Sequence, residues 1–315
     1  MSLFQSGMDR RQWMAAVTGL AFASTLGAQP AKTARLVVIG GAEDRLKDRV
    51  ILRKFVEYCG GSRARIRLIT TASAQPAMTW ESYRAVFSEL GVDNFEQLAL
   101  TDRDSAFAPQ LSQEILQADG IFISGGDQGR LMDVIWETPA YRSLHEAFHL
   151  HACCLGGTSA GAAVMSRHMI SQGPAVLRPI KWATETDIGL GFVSNAVVDQ
   201  HFSERRRLAR LMSTLAQRPD LLGVGIDEDT ALVIERNRSI EVIGRGAVTV
   251  VDPSRMQSNV DDVGLEEQME MLGVVIHMLP SGHRYSLDSK LQAARWPESL
   301  RRVLTRLVAP GPLRG

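Results

Sequence analysis

The sequence has no excess of charge of either sign. Its 315 residues include 35 lysines and arginines and 35 aspartates and glutamates, so the formal net charge is zero. Proteins that bind DNA or RNA usually carry an excess of basic residues, which attracts the phosphate backbone. The charge balance therefore argues against a nucleic-acid partner. Hydrophobic residues at 45% and charged residues at 22% are ordinary proportions for a globular protein.

Cysteine is scarce as well. The chain has three cysteines, Cys59, Cys153 and Cys154, and no two of them have the CxxC spacing of a metal site. The adjacent pair lies in an apolar run that predicts a buried strand. A disulfide scaffold and a cysteine metal centre are therefore not expected. The cysteines do not indicate a compartment, because buried thiols persist in reducing and oxidising environments alike.

The N-terminal region contains no apolar segment long enough for a permanent membrane anchor. Residues 15–28 are uncharged and weakly apolar, but they fall short of the about 20 residues that span a bilayer. They follow Arg10 and Arg11, which is the layout of a twin-arginine export signal. We expect residues 1–32 to be such a signal, which would place the protein in the periplasm or outside the cell. The alternative is a cytoplasmic protein that starts, for example, at Met8.

Short apolar runs alternate with stretches of helical periodicity from Arg35 onward. The first are Leu36–Ile39, a helical pattern from Asp44 to Tyr58, and Ile66–Ile69. This alternation is typical of βαβ units, in which a parallel sheet is covered by helices on both faces. After about Leu222 short β-branched runs follow one another, which predicts antiparallel strands.

These patterns together predict a three-layer αβα fold of the α/β class. Its central sheet should be mostly parallel, with additional antiparallel strands toward the C-terminus. We expect a single α/β catalytic domain over residues 33–295, followed by a C-terminal helix and tail over residues 296–315.

One motif has the form of a nucleophile turn. An apolar run that contains Cys153 and Cys154 leads into the Gly-x-Ser-x-Gly sequence of residues 157–161, and small residues follow it. In a nucleophile elbow, a strained turn between a strand and a helix lifts the serine hydroxyl, here Ser159, out of the sheet. The N–H of Ala160 would then lie where an oxyanion forms. A plain tight turn is the alternative.

A nucleophilic serine needs a base, and the chain has seven histidines. His145 and His149 are four residues apart on a predicted helix, but no third ligand accompanies them, so we expect no metal. His201 follows the apolar run Phe192–Val198, at the carboxyl end of a predicted strand. Because the turn at Ser159 also follows a strand, we expect both side chains at one edge of the sheet. A histidine that only stabilises the end of a strand is the alternative.

A cluster of basic residues follows His201. Four arginines, at positions 205, 206, 207 and 210, lie on a helix predicted to begin after Ser203 as its N-cap. They form either an exposed helix face or a site that binds substrate carboxylates through their guanidinium groups. The acidic turn Asp227-Glu228-Asp229 either holds a guanidinium group or is solvated.

Five blocks of the sequence, taken in order, resemble one family. They are Val38–Asp44, Ser124–Gln128, Gly157–Ala162, Asp199–Leu211 and Gly225–Ala231. This set is similar to the cyanophycinase family of serine peptidases, which is related to dipeptidase E and has a fold like that of class I glutamine amidotransferases. The resemblance covers about residues 35–290.

The resemblance implies an exopeptidase that hydrolyses cyanophycin through an acyl-enzyme. Cyanophycin is a polyaspartate chain with arginine on each β-carboxyl group, and the products would be β-Asp-Arg dipeptides. Ser159 would be the nucleophile and His201 the base, and Gly126 and Ala160 would form the oxyanion site. The substrate pocket would be lined by Gln128, Asp199, Gln200, Arg205, Arg207 and Arg210. No cofactor is implied, and because similar proteins are often dimers, a homodimer is an expectation.

Two questions stay open at the level of the sequence. Similar enzymes carry an acid that orients the histidine soon after the nucleophile helix, whereas residues 173–179 contain none. Glu185 and Asp187 are the nearest substitutes, and a serine–histidine dyad is the alternative. The activity could also be that of another exported Asp-directed dipeptidase or isopeptidase of the same superfamily, or the chain could be a binding relative without catalysis.

Overall fold

The computed structural model describes residues 33–309. Within that range the chain forms sixteen β-strands, nine α-helices and a short 3₁₀ helix at Ser105–Phe107. The strands are β1 (Arg35–Ile39), β2 (Arg65–Ile69), β3 (Asn94–Gln97), β4 (Gly120–Ile123), β5 (Cys154–Thr158), β6 (His168–Gln172), β7 (Glu185–Ile188), β8 (Ala196–Gln200), β9 (Leu222–Ile226), β10 (Thr230–Glu235), β11 (Ser239–Gly244), β12 (Ala247–Asp252), β13 (Gln257–Ser258), β14 (Met271–Leu272), β15 (Val275–Pro280) and β16 (His283–Ser286). The helices are α1 (Val50–Cys59), α2 (Pro76–Glu89), α3 (Pro109–Gln117), α4 (Gln128–Ile135), α5 (Pro139–Leu150), α6 (Ala160–Ala163), α7 (Leu208–Gln217), α8 (Lys290–Ala293) and α9 (Glu298–Val308). The export signal expected over residues 1–32 lies outside the described residues.

Eight strands form the main sheet, in the order β16-β11-β10-β1-β5-β4-β2-β3. The five strands from β1 to β3 in that order run parallel to one another. The strands β10, β11 and β16 extend the sheet by antiparallel pairing. The predicted α/β fold, with a mostly parallel sheet and antiparallel strands from the C-terminal half, is confirmed.

The alternation of side chains along β1 produces the two covered faces of this sheet. Val37 and Ile39 pack with α1 and α2 on one face. Leu36 and Val38 pack with α3, α4, α5 and α9 on the other. Successive side chains of a strand point to opposite faces, so an apolar residue at every position requires cover on both sides. The three-layer αβα arrangement follows from this pattern.

A second sheet of four strands, in the order β15-β12-β9-β8, was not predicted. The strand pattern placed Ser159 and His201 at one edge of a single sheet, and that prediction is wrong. The strand before Ser159 is β5 of the main sheet, whereas the strand before His201 is β8, which pairs in parallel with β9 in the second sheet. An apolar run determines that a strand is buried, but its pairing partner depends on the tertiary structure.

The helix predicted from Asp44 begins later, at Val50. The Asp44 carboxylate accepts hydrogen bonds from the backbone N–H groups of Leu46, Lys47 and Arg49, each at 2.9 Å. These bonds also hold the pKa of Asp44 below its ordinary value. Aspartate competes in this way with helical hydrogen bonding. Residues 40–49 therefore form a loop after β1, and this loop borders the candidate site.

The C-terminal helix α9 closes the domain as its apolar spacing predicted. Leu300, Val303, Leu304 and Leu307 are all buried against the core. Among residues 33–309, no helix combines the length and the apolar character needed to cross a membrane.

Candidate active site

Ser159 lies in a strained turn between β5 and α6. Its backbone has φ 52° and ψ −112°, a conformation that costs free energy for a residue with a side chain. The Ser159 N–H donates to the Ile39 carbonyl at the end of β1, at 3.1 Å. The turn is thus anchored to the neighbouring parallel strand, and it has the geometry expected of a nucleophile elbow.

The two glycines of the motif are required by close backbone contacts. A Cβ atom on Gly157 would lie 2.3 Å from the Gly161 carbonyl oxygen, and one on Gly161 would lie 2.3 Å from the Ile123 carbonyl oxygen. Both distances are far below van der Waals contact. Glycine at these positions lets the start of α6 approach the ends of β4 and β5.

His201 meets Ser159 although the two follow strands of different sheets. Its Nε2 atom lies 2.9 Å from the Ser159 Oγ atom. The His201 N–H donates to the Gly40 carbonyl at 2.7 Å, which attaches the end of β8 to the end of β1. A Cβ atom on Gly41 would lie 2.3 Å from the imidazole ring, so only glycine leaves room for it. The loop after β1 therefore supports the imidazole.

Glu228 is the partner of the other ring nitrogen. Its Oε1 atom lies 2.6 Å from the Nδ1 atom of His201. A carboxylate only accepts hydrogen bonds, so Nδ1 carries the proton and Nε2 presents its lone pair to the Ser159 hydroxyl. Burial lowers the pKa of His201, the hydrogen bond to Glu228 opposes this, and the positive charge of Arg205 adds to the lowering. The net direction is downward, which favours the neutral imidazole.

The orienting acids suggested by the sequence are not the ones at this site. Glu185 and Asp187 lie on β7, which pairs with β6, and both are exposed. The contact to Nδ1 comes instead from the turn between β9 and β10. That turn, Asp227-Glu228-Asp229, was noted in the sequence only as a holder of guanidinium groups or a solvated loop. Its acidic residues, directly after a buried apolar run, are the signal that marks Glu228 as a candidate, but its pairing with His201 depends on the tertiary structure.

Two backbone segments flank the Ser159 hydroxyl. The N–H of Ala160 is at the first position of α6, where helical N–H groups have no partner within the helix. Gly125 packs against Ser159, since a Cβ atom on it would lie 3.3 Å from the Ser159 Cβ atom. Gly126 follows with φ 143°, a conformation that favours glycine. Both predicted oxyanion residues thus belong to segments that adjoin the serine.

The residues predicted to line the substrate pocket form a hydrogen-bonded network among themselves. Arg210 donates to both carboxylate oxygens of Asp199, and its Nε contact is 2.8 Å. Arg207 lies 3.3 Å from the Asp199 carboxylate and also donates to the carbonyl and side-chain oxygens of Gln200. Asp199, Gln200 and Arg210 are buried. Their mutual contacts hold the segment after β8 in place.

Arg205 differs from this network because it is exposed. In the described part of the chain its guanidinium group has no carboxylate partner. Arg205, Arg206 and Arg207 lie in a turn, since α7 begins only at Leu208. Ser203 was predicted to cap that helix, but it donates instead to the Asp227 carboxylate at 2.5 Å.

Gln128 lies at the start of α4, just after the Gly125–Gly126 loop. Its amide donates to the carbonyl groups of Ile170 and Ser171, at 3.1 and 2.6 Å. Gln128 therefore connects this loop to β6.

In the histidine pair on α5, the ring of His145 is packed against neighbouring groups of the core. The His145 Nε2 atom lies 2.8 Å from the Leu190 carbonyl oxygen, and its ring stacks on Phe192. Among residues 33–309, no group of three histidine, cysteine or acidic side chains is placed to hold a metal ion.

Comparison with known proteins identifies the family. Residues 36–242 match the family model described as Peptidase family S51. The chain belongs to peptidase family S51. Among curated relatives of this S51 peptidase, a cyanophycinase from Nostoc sp. (strain PCC 7120 / SAG 25.82 / UTEX 2576) is 40% identical over 260 residues, which cover 82% of this chain and 87% of the relative. A cyanophycinase from Geminocystis herdmanii (strain PCC 6308) is 38% identical over 252 residues, which cover 80% of this chain and 93% of the relative.

A solved structure shares the fold of this S51 peptidase. It is the crystal structure of a peptidase from an acI-B1 Actinobacterium, with a TM-score of 0.58 and 23% sequence identity. The match covers 81% of this chain and 97% of that protein. The family model and the curated relatives confirm the family resemblance inferred from the five sequence blocks and the assignment to the serine peptidases.

Proposed function

We propose that this S51 peptidase is a serine exopeptidase that hydrolyses cyanophycin to β-Asp-Arg dipeptides. The observation that carries the proposal is the chain of contacts from Ser159 through His201 to Glu228, at 2.9 and 2.6 Å. This is the arrangement of a nucleophile, a base and an orienting acid. The curated relatives named cyanophycinase support the choice of substrate.

Acylation begins when the Ser159 Oγ atom attacks the carbonyl carbon of the scissile amide. The hydroxyl proton passes to Nε2 of His201 as the new C–O bond forms. Glu228 stabilises the resulting imidazolium through the Nδ1 proton, while the carbonyl oxygen carries the negative charge of the tetrahedral intermediate. The intermediate then collapses, the C–N bond breaks, and the imidazolium protonates the leaving amine.

Deacylation repeats this sequence with water. His201 takes a proton from the water as its oxygen attacks the ester carbon. The second intermediate collapses with cleavage of the bond to Oγ, and the proton on Nε2 returns to the serine. We place the oxyanion between the N–H groups of Ala160 and Gly126, and one donor of this kind is typically worth about 10²–10³ in rate.

Substrate recognition would combine one exposed guanidinium group, that of Arg205, with a pocket wall held rigid by hydrogen bonds. Each repeat of cyanophycin carries one guanidinium group and one free carboxylate, since the arginine is joined through its α-amino group. Arg205 is exposed beside His201 and can pair with a substrate carboxylate through its planar fork of N–H donors. The pocket wall would be formed by the hydrogen-bonded residues Asp199, Gln200, Arg207 and Arg210. Gln128 would contribute to this wall through its hydrogen bonds to β6.

The experiment is incubation of purified protein with insoluble cyanophycin, followed by measurement of released dipeptide. The wild-type protein is expected to release β-Asp-Arg, and Ser159→Ala is expected to release none while it still binds the polymer. Release from short Asp-X peptides but not from the polymer would favour an Asp-directed dipeptidase. Binding without release by the wild type would indicate a non-catalytic relative.

We also propose that the protein is exported through a twin-arginine signal. The support is the sequence of residues 1–32, where Arg10 and Arg11 precede an uncharged segment. Cell fractionation tests this directly. The wild-type protein is expected outside the cytoplasm, and the Arg10→Lys, Arg11→Lys double variant is expected within it. Retention of both proteins in the cytoplasm would contradict the proposal.

A further inference from the structure

A buried carboxylate lies behind the nucleophile turn and takes no part in the proton transfers described above. Glu43 is 5% exposed, in the loop after β1. Its Oε2 atom accepts a hydrogen bond from the Thr158 hydroxyl, and its Oε1 atom accepts one from the Tyr83 hydroxyl at 2.5 Å. A carboxylate is costly to bury unless its oxygens are hydrogen-bonded, and here both are.

The position of Thr158 gives this contact its significance. Thr158 is the last residue of β5 and directly precedes Ser159, whose backbone is strained. Strained conformations persist only where the surrounding structure holds them. The hydrogen bond from Thr158 to Glu43 is a side-chain restraint immediately before the strained residue.

The same loop also contacts the base. The Gly40 carbonyl accepts from the His201 N–H, and Gly41 packs against the imidazole ring. Residues 40–43 therefore contact the nucleophile turn through Glu43 and the histidine through the two glycines. A shift of this loop would change the distance between Ser159 and His201.

Tyr83 fixes Glu43 from the opposite side. It lies on α2, is 3% exposed, and donates to Glu43 from within the apolar layer over the sheet. Burial raises the pKa of Tyr83, and the charge of Glu43 raises it further, so the phenol stays protonated and remains a donor. Arg45 approaches more loosely, with its Nε atom 3.9 Å from the carboxylate.

We infer that Glu43 is a positioning residue: held by Tyr83, it fixes the nucleophile turn through the Thr158 hydroxyl and so keeps Ser159 within reach of His201. This inference rests on the proposed function, because it assumes that Ser159 is the nucleophile. It assigns to Glu43, Tyr83 and Thr158 a role in the chemical step and none in substrate binding.

The central test compares Thr158→Val with Thr158→Ser. Valine has nearly the shape of threonine but lacks the hydroxyl, whereas serine keeps it. Misplacement of a reacting group by about 1 Å can cost about 10²-fold in rate, so we expect Thr158→Val to lower kcat by about 10–100-fold with little change in KM. Thr158→Ser is expected to retain most of the wild-type kcat.

A second measurement reports on the nucleophile without the natural substrate. The rate of inactivation by a fluorophosphonate, which phosphonylates activated serines with loss of fluoride, should fall in Thr158→Val in proportion to kcat. Glu43→Gln should lower both rates as well, and adding Thr158→Val to it should cause little further loss, since the two residues form one contact. Independent, additive losses would overturn the inference.

Glu235 provides a matched control. It is also buried, at 1% exposed, but it lies at the far end of β10 and binds Arg35, Arg238 and Arg284. Glu235→Gln is expected to lower the thermal midpoint while kcat stays at the wild-type value. If Glu43→Gln loses no more activity than Glu235→Gln at equal loss of stability, Glu43 is only structural. Failure of the proposed function itself would appear separately, as full activity in Ser159→Ala.

Discussion

The Glu228 carboxylate lies 2.6 Å from the His201 Nδ1 atom, and each residue follows a strand of the second sheet. Because β8 and β9 are parallel neighbours, their carboxyl ends lie side by side. His201 comes one residue after β8, and Glu228 comes two residues after β9. The proposed base and its acidic partner thus follow one pair of neighbouring strands, whereas the proposed nucleophile follows a strand of the other sheet.

Replacement of the acid should therefore slow the chemical step. Glu228→Gln leaves His201 without the partner that fixes its tautomer and stabilises its charged form, so we expect kcat to fall by about 10²–10⁴-fold. The measurement is the initial rate of dipeptide release. The controls are Glu185→Gln and Asp187→Asn on the exposed strand β7, which should keep wild-type rates. If either control variant lost more activity than Glu228→Gln, the orienting acid would lie on β7 instead.

The positive charge of Arg205 should be visible in the pH dependence. It contributes to lowering the pKa of His201, and the imidazole must be neutral to act as a base. The substitution Arg205→Gln removes this charge and makes the protonated imidazole less unfavourable, so the pKa of His201 rises. As the pH is lowered, the variant should therefore lose activity at a higher pH than the wild-type protein does. A profile of kcat/KM against pH measures the shift. An acid limb that stays in place or moves to lower pH would contradict this account.

Gly41 should tolerate no side chain. A Cβ atom there would overlap the imidazole ring of His201, and φ of 99° is itself unfavourable for alanine. We expect Gly41→Ala to lower kcat by about 10²-fold or more through displacement of the base. Gly61→Ala is the matched control, since Gly61 has φ of 85° but no atom within 4 Å of the added methyl group. It should lose about 1–2 kcal/mol of stability, the cost of a left-handed backbone for a residue with a side chain, and keep its activity.

The Asp199–Arg210 pair should matter for stability. Both side chains are buried, and removal of one leaves an uncompensated charge in the interior. Asp199→Ala is expected to lower the free energy of unfolding by about 3–5 kcal/mol, measured by denaturant titration. The more exposed pair Arg218–Asp220 is the comparison, and Asp220→Ala should cost less than about 1 kcal/mol. Equal losses would show that the Asp199 network does not hold the segment after β8.

Local patterns in the sequence were sufficient to predict much of the fold. Apolar residues at every position of β1 required a sheet covered on both faces, and the spacing of Leu300, Val303, Leu304 and Leu307 required a packed helix. Gly157 and Gly161 around Ser159 indicated the strained turn, because only small residues permit those backbone approaches. These features depend on neighbours close in the chain or on burial alone.

By itself, the sequence determined the family, the αβα layers, the serine turn and the histidine that follows a buried strand. Only the tertiary structure decided that β8 pairs with β9 in a second sheet, and so that Glu228, rather than Glu185 or Asp187, meets His201. It also decided that the arginines at 207 and 210 are bound to Asp199 while Arg205 stays exposed. The physical reason is that hydrophobic periodicity records which residues are buried. Strand partners and the pairing of charges instead depend on contacts between segments far apart in the chain, which no local pattern encodes.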